Sequence, residues 1–429
     1  MKKVLPLIGI LLIASFVLAA CQPAATATPE TPVAEPTTPP AEEEPTAVVE
    51  EPTAVPEEGL TGTITLWHAW KENEIASLNE VIAGFQALNP NVTFDVLYVP
   101  FDDLRGKFET AAGTGGGPTV LIGAADWGPG LYDSMFVADL TPLASEEFLA
   151  TINPAALGAV QYKDALVGLP QTLKGVLMFR NKSIVAEPAT DFDDLVAKAT
   201  AADTADIRGA ALEYGLFFSA GHLYGLGGTL LTPEGDPAFN NEKGIEWANL
   251  IARFKETGPT YNNVDDDVAL FKSGRAGIII DGSWNISALA DAIGADNLAI
   301  DPWPTPLSGF VQTENIYLNA NATGADAEAG YAFMEYFLSV EAQTLLSDPT
   351  KAGHIPAVAG VEVTDPLMMA ATEAFAGGAP FPVIPEMNAY WDAVNNALKK
   401  VVDEGTDPAV ALQEAYELVV AKVAEIRGQ

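Results

Sequence analysis

Cysteine is almost missing from this 429-residue chain: Cys21 is the only one. No disulfide framework and no cysteine-based metal site can form within one copy. Histidine is scarce as well. His68, His222 and His354 stand far apart and lack HExxH-type spacing, which argues against a His-rich zinc site. Positive charge is short, with 21 Lys and Arg against 58 Asp and Glu and a formal net charge of −37. Such a surface repels phosphate backbones and anionic headgroups, so the composition argues against nucleic-acid binding. Several motifs are absent too. No GxSxG nucleophile elbow occurs. The turn Gly113–Pro118 lacks the Lys-Ser/Thr of a phosphate loop and precedes a strand rather than a helix. Asp265-Asp266-Asp267 lacks EF-hand spacing and reads as a solvated loop or helix start. No transmembrane run follows Cys21, and no internal repeat is visible.

What is present begins with an address. Lys2 and Lys3 precede an uncharged run, Val4 to Ala20, that ends in Leu18-Ala19-Ala20-Cys21. This layout is that of a secretory signal, and it resembles a bacterial lipobox in which Cys21 becomes the acylated first mature residue. The run is short for a spanning helix and contains Pro6 and Gly9. Residues 1–20 are therefore expected to be a lipoprotein signal peptide, and acyl chains on Cys21 to hold the protein at a membrane surface. The next stretch, to residue 59, is rich in Pro, Thr, Ala, Glu and Val without an aromatic residue. It cannot bury enough apolar surface to order itself and is expected to be a disordered tether. The expected location is the outer face of a bacterial cytoplasmic membrane, extracellular or periplasmic.

The rest is 48% hydrophobic over the whole chain and long enough for one large domain or two lobes. Thr63–Trp67 reads as a buried strand, and Ile75, Leu78, Ile82, Phe85 and Leu88 follow at helical spacing. A second strand spans Thr93–Val99, a helix surrounds Leu104 and Phe108, and a third strand is Thr119–Ile122. Strand–helix–strand–helix–strand predicts a parallel sheet with right-handed crossovers. Short strands are expected at Val176–Phe179 and Ala276–Asp281, and helices over Val268–Ser273 and Ala325–Ser347. Met387, Tyr390, Trp391, Val394 and Leu398 line one helical stripe, and Asp407-Pro408 opens a last helix. Ligands of such open sheets bind beyond the carboxyl ends of the strands. Trp67-His68-Ala69-Trp70 lies at one such end. Trp70 is expected to offer a stacking ring there and Trp67 to be core, while His68 fits a ligand contact or a cap equally.

A series of landmarks then runs in order: Ile64–Trp67, Gly117–Ile122, Asp126, Phe136–Leu143, Gly168-Leu169-Pro170, Phe179–Lys182, Phe271–Gly277, Asp281–Trp284 and Pro385–Trp391. With them the chain, over roughly residues 62 to 428, resembles the family-1 extracellular solute-binding proteins, nearest the maltose and maltodextrin branch. The resemblance implies a two-lobe periplasmic-binding-protein-like α/β fold with a ligand cleft and three hinge crossings. The crossings fall near Thr172–Gly175, Val311–Asn315 and Gly353–Pro356. Lobe 1 would be 60–172 plus 316–352, and lobe 2 would be 175–311 plus 356–429. It implies a monomer without catalysis, cofactor or metal, whose partners are a sugar and the permease subunits of an ABC importer.

By the same resemblance Trp284 and Trp391 match sugar-stacking positions, and Asp126 matches a ligand-contacting carboxylate. Trp127 stands where the branch has an Arg, Lys174 where it has a Glu, and Lys71 and Glu72 where it has Asp and Lys. These departures separate the family from the cargo. His222 or Tyr224 occupies a region that often supplies one aromatic, and Asn315, beside Glu314, lies at the second crossing. Rings interleaved with charges of both signs suit a neutral sugar, whose C–H faces stack and whose hydroxyls need polar partners. A polyol, glycerol phosphate, polyamine or metal chelate on the same fold is the alternative. A surface glycosidase, which needs two carboxylates at fixed separation, is a third reading.

Overall fold

The computed structural model describes residues 59–428. The leader, Cys21 and all but the last residue of the tether lie outside the described residues. Among those described, no helix is long and apolar enough to cross a membrane.

The first body grows from a parallel core. Strand β1 (Gly62–His68) pairs with β2 (Val92–Tyr98) along its whole length, from Gly62 opposite Val92 to His68 opposite Tyr98. On its other side it pairs with β3 (Val120–Ala124). Helices α1 (Glu72–Leu88) and α2 (Phe101–Ala112) make the crossovers. The alternation in β1 turns Ile64 and Leu66 inward, where they meet Leu78, Val81 and Phe85 of α1 and Phe333 and Phe337 of the later helix Gly324–Phe337. One stripe at helical spacing thus closes one face of the sheet.

The second body has its own sheet and its own cores. Strand β4 (Leu169–Asn181) has β7 (Ile278–Gly282) on one flank and β8 (Leu298–Asp301) on the other, all antiparallel. Short strands β5 (Leu212–Glu213) and β6 (Thr260–Tyr261) pair in parallel, and Ala211 bridges Ile279 to extend the sheet. Helices α3 (Leu216–Gly225), α4 (Asp266–Lys272), α5 (Ile286–Ile293) and α6 (Tyr390–Glu404) cover it. The last helix, Pro408–Ile426, is capped by Asp407, whose carboxylate accepts from Ala409 N and Val410 N at 2.9 and 3.3 Å.

The two lobes are joined by strands rather than loops. The short strand expected at Val176–Phe179 is the far end of β4, a 13-residue strand that passes from one lobe to the other. Strand β9 (Phe310–Leu318) returns antiparallel to β4 and continues onto β3. Strand β10 (Ile355–Pro356) lies on β4 at Thr172 and Leu173. The segments at Thr172–Gly175, Val311–Asn315 and Gly353–Pro356 are thus neighbours in one ladder. Its strand character follows from burial: nearly every residue of β4 is covered on both faces, where unpaired backbone groups would be costly. Pro170 has no N–H to give, and the register slips there, with Thr172 opposite Glu314 and Pro170 opposite Asn315. Gly175 lets two crossings approach closely, since a Cβ there would sit 2.4 Å from the Phe310 carbonyl oxygen.

Candidate functional site

The faces that meet between the lobes carry different chemistry. On lobe 2 the rings form a row. Trp284 follows β7 and lies 6.0 Å from Phe217 at the start of α3. Phe217 lies 5.5 Å from Phe381, which stacks on Trp391 at 5.7 Å and 23°. Phe218 flanks Trp284 at 6.3 Å. The row starts beside the hinge, where Ser283 Oγ accepts from Gly175 N at 3.3 Å. It ends at Trp391, which faces the Asp126 carboxyl of lobe 1.

Asp126 is 4% exposed. Burial pushes its carboxyl up to about 6, against the pull of the Arg105 guanidinium. Arg105 is positioned by Glu109 at 2.8 Å and reaches across to Asn388 Oδ1 at 2.5 Å. Trp127, beside Asp126, packs on Phe101 at 5.2 Å and belongs to a small core of lobe 1.

At the hinge a buried polar network ties the three crossings to α1. Lys174 of β4 places its ammonium 3.1 Å from Glu74 of α1 and 2.9 Å from Glu314 of β9. His354, next to β10, bonds Glu74 through Nε2 at 2.8 Å. Glu314 also accepts from Trp70 Nε1 at 2.8 Å and Gln171 Nε2 at 2.6 Å. Although burial raises it, the charges of Lys174 and His354 and their hydrogen bonds hold the Glu74 carboxyl down at about 2. Burial works against the Lys174 ammonium, yet the two carboxylates hold it above its ordinary value. His68 is buried and accepts from Trp70 N through Nδ1 at 3.1 Å. Burial lowers its pKa, so the ring is neutral with its proton on Nε2.

The rim is closed by contacts between the lobes. Asn73 Nδ2 donates to Ser287 Oγ and Asp291 Oδ2, each at 2.8 Å. Glu72 pairs with Lys272 at 3.0 Å, and Lys71 lies 3.9 Å from Asp265.

Set against the sequence expectations, Trp284, Trp391 and Asp126 stand where the lobes meet, whereas Lys174 is corrected: it is buried and its ammonium is taken up by Glu74 and Glu314. Lys71 and Glu72 sit at the rim in exposed ion pairs. Trp70 is corrected: it is 1% exposed, turned inward against Phe337 and His354 at 5.9 and 4.7 Å. The chain folds back after β1, so its ring closes the lobe 1 core and offers no free face. Trp67, expected as core, is half-buried with the Lys107 ammonium 5.1 Å over its ring. Strand alternation puts it on the face opposite Leu66. His222 is corrected as well. It is fully buried in lobe 2 between Phe254 and Trp303, bonded to the Ser308 backbone, and burial pushes its pKa down to about 4. Tyr224 packs on Phe310 at 5.4 Å at the edge of the same core. Asn315 is fully buried inside the ladder, accepting from Thr313 Oγ1 at 2.6 Å and donating to Tyr317 at 3.1 Å. Three rings, Phe217, Phe218 and Phe381, and the polar groups Glu74, Arg105, His354 and Asn388 were missed by sequence reasoning. The adjacent pair Phe217-Phe218 opening a helix, and Phe381 between two prolines, were the available signals.

Comparison with known proteins fits this geometry. A family model described as bacterial extracellular solute-binding protein matches residues 80–376. Among curated relatives, the maltotriose-binding protein of Pyrococcus abyssi is 24% identical over 366 residues, covering 80% of this chain and 78% of that protein. The galactooligosaccharide-binding protein of Bacillus subtilis is 25% identical, covering 82% and 88%. Among solved structures, the maltose/maltodextrin-binding domain from Bdellovibrio bacteriovorus bound to maltotriose superposes with a TM-score of 0.76 at 23% identity, covering 84% of this chain and all of that one. This last likeness concerns the two-lobe fold.

Proposed function

The chain belongs to the bacterial extracellular solute-binding proteins, and from that premise we propose that it captures an oligosaccharide of the maltodextrin class between its lobes. In this reading the loaded, closed form is handed to the permease of an ABC importer, and acylated Cys21 keeps the protein at the membrane. The observation that carries the cargo class is the set of half-buried rings Trp284, Phe217 and Trp391, backed by the buried Phe381 and ended by the buried Asp126. Rings present flat faces of large area with little side-chain entropy to lose, which suits pyranose C–H faces. Asp126 and Arg105 at its end suit ring hydroxyls. The reading is binding rather than hydrolysis. Glu74 and Glu314 are both bound to Lys174, which leaves Asp126 without the second free carboxyl that glycoside hydrolysis needs. The maltotriose- and galactooligosaccharide-binding relatives support a sugar over a polyamine or glycerol phosphate.

The test is a melting-temperature panel: maltose, maltotriose, a galactooligosaccharide, cellobiose, glycerol phosphate and spermidine. A ligand that binds only the folded state adds about 2.7 kcal/mol at a hundredfold excess over Kd. Stabilisation by an α-glucan, weakened in Trp391→Ala and in Trp284→Ala by about tenfold to a hundredfold in Kd, is the expected result. A response confined to spermidine or glycerol phosphate would overturn the sugar reading while leaving the family assignment intact.

A further inference from the structure

The two lobes touch at both flanks of the cleft. On one flank Asn73 reaches Ser287 and Asp291, and a Cβ on Gly353 of the third crossing would stand 3.7 Å from the Ser287 Cβ. That contact lies against the hinge itself. On the flank of Trp391, Arg105 of α2 donates through Nη1 to Asn388 Oδ1 at 2.5 Å, although the two are 283 positions apart. Each partner is anchored in its own lobe. Leu104 and Phe108 of α2 are fully buried in a lobe 1 core, and Met387 and Ala389, on either side of Asn388, lie in a lobe 2 core. Each is also oriented within its own lobe. Glu109 holds Arg105 Nε at 2.8 Å, and Asn388 Nδ2 donates to the Pro385 carbonyl at 2.9 Å, which leaves Oδ1 as the acceptor. Gly130 leaves them room, since a Cβ there would lie 3.3 Å from Arg105 Nη2 and 3.9 Å from Asn388 Nδ2.

We propose that Asn388 is a positioning residue for cargo capture: by taking Arg105 across the cleft it latches the closed lobes and sets how fast cargo leaves. The proposal rests on the capture reading above. Both side chains are tied to their own lobes, so neither is free to follow the other. Parting the lobes by about 1 Å takes the pair beyond hydrogen-bonding distance. The bond is charge-assisted, hence stronger than a neutral one, and it exists only while the lobes are together. Its whole contribution therefore favours the closed form. Cargo enclosed by that form leaves only after opening, so the latch acts on release more than on capture. A guanidinium suits the position because its planar fork serves Glu109 and Asn388 from different N–H groups. With five donors it can hold the latch and a cargo hydroxyl together.

The experiment is a double-mutant cycle on the full chain: Asn388→Leu, Arg105→Met and the two together. Its first readout is stopped-flow release of the α-glucan that stabilises the wild type. Release is expected to quicken about tenfold in Asn388→Leu, the effect of losing one hydrogen bond to a charged group, with association changed far less. In the Arg105→Met background the same substitution is expected to change release no further. Equal acceleration in both backgrounds, or none in the wild type, overturns the latch. The second readout, small-angle scattering of the cargo-free chain, needs no sugar. Where the wild type or Arg105→Met binds no sugar and the cycle on release cannot be run, scattering decides. A larger radius of gyration in Asn388→Leu, seen only while Arg105 is present, supports the latch, and identical curves overturn it. Failure of the wild type to bind any sugar refutes the capture reading, so the two failures are told apart.

Discussion

The hinge and the ring row of lobe 2 border the same cleft and are built on opposite principles. At the hinge, Lys174, Glu74, Glu314, His354, Trp70 and Gln171 are buried and bonded to one another. Removing one member strands the others. In the ring row, Trp284, Phe217 and Trp391 are half-buried and held by ring-to-ring contact. Removing one ring loses area but orphans little. The polar network is therefore suited to setting where the crossings sit, and the half-buried rings to presenting apolar faces.

The comparison breaks most sharply at Lys174. Lys174→Met leaves two buried carboxylates without their cation and is expected to cost about 3–5 kcal/mol. Urea denaturation measures it. Adding Glu74→Gln and Glu314→Gln to that variant is expected to recover most of the loss, because no uncompensated charge remains. A triple variant as unstable as the single one would show that packing, not charge, holds the hinge.

Next in size is pH. Glu74 is held below its ordinary value, so its contribution is complete above about pH 4.5 and is lost as pH falls toward 2; it amounts to about 3 kcal/mol. Asp126 is raised, so its effect has the other sign: stability falls by about 3 kcal/mol as pH rises from about 4 to about 6, then levels. Stability measured against pH should thus show two opposed limbs. Glu74→Gln removes the acid limb and Asp126→Asn makes the falling limb shallower, since the raised carboxyls of Asp267 and Asp281 contribute to that limb as well. A single monotonic limb in wild type would refute the opposition.

The smallest effect lies at the rim. Glu72→Gln removes the exposed pair with Lys272, and the stability change is expected to stay under about 1 kcal/mol and to shrink further with salt. Calorimetric affinity for the cargo is the sharper readout, since that pair spans the two lobes. A loss of several kcal/mol would mean the rim pair is a structural element in its own right.

Particular residues show what was legible. The parallel unit β2-β1-β3 could be read directly because period-2 and helical stripes are local patterns. Trp284 and Trp391 were found through landmark order, and they do stand on one ring row. Trp70 and His222 misled for one reason: a residue near a strand end or on a helix does not reveal whether its ring points to the cleft or the core. The hinge network was out of reach. Glu74 meets Lys174 from 100 positions away and His354 from 280, and no local pattern encodes such a meeting.

By itself, then, the sequence determined the order β1–α1–β2–α2–β3, the two-lobe class and the acidic, cysteine-poor character, because these depend on periodicity, short landmarks and composition. Only the tertiary structure decided which tryptophan faces inward, that the crossings are one ladder, and that Lys174 holds two carboxylates rather than waiting for a ligand. Those outcomes depend on which distant groups burial brings together, since a buried charge must find its partner wherever in the chain that partner lies.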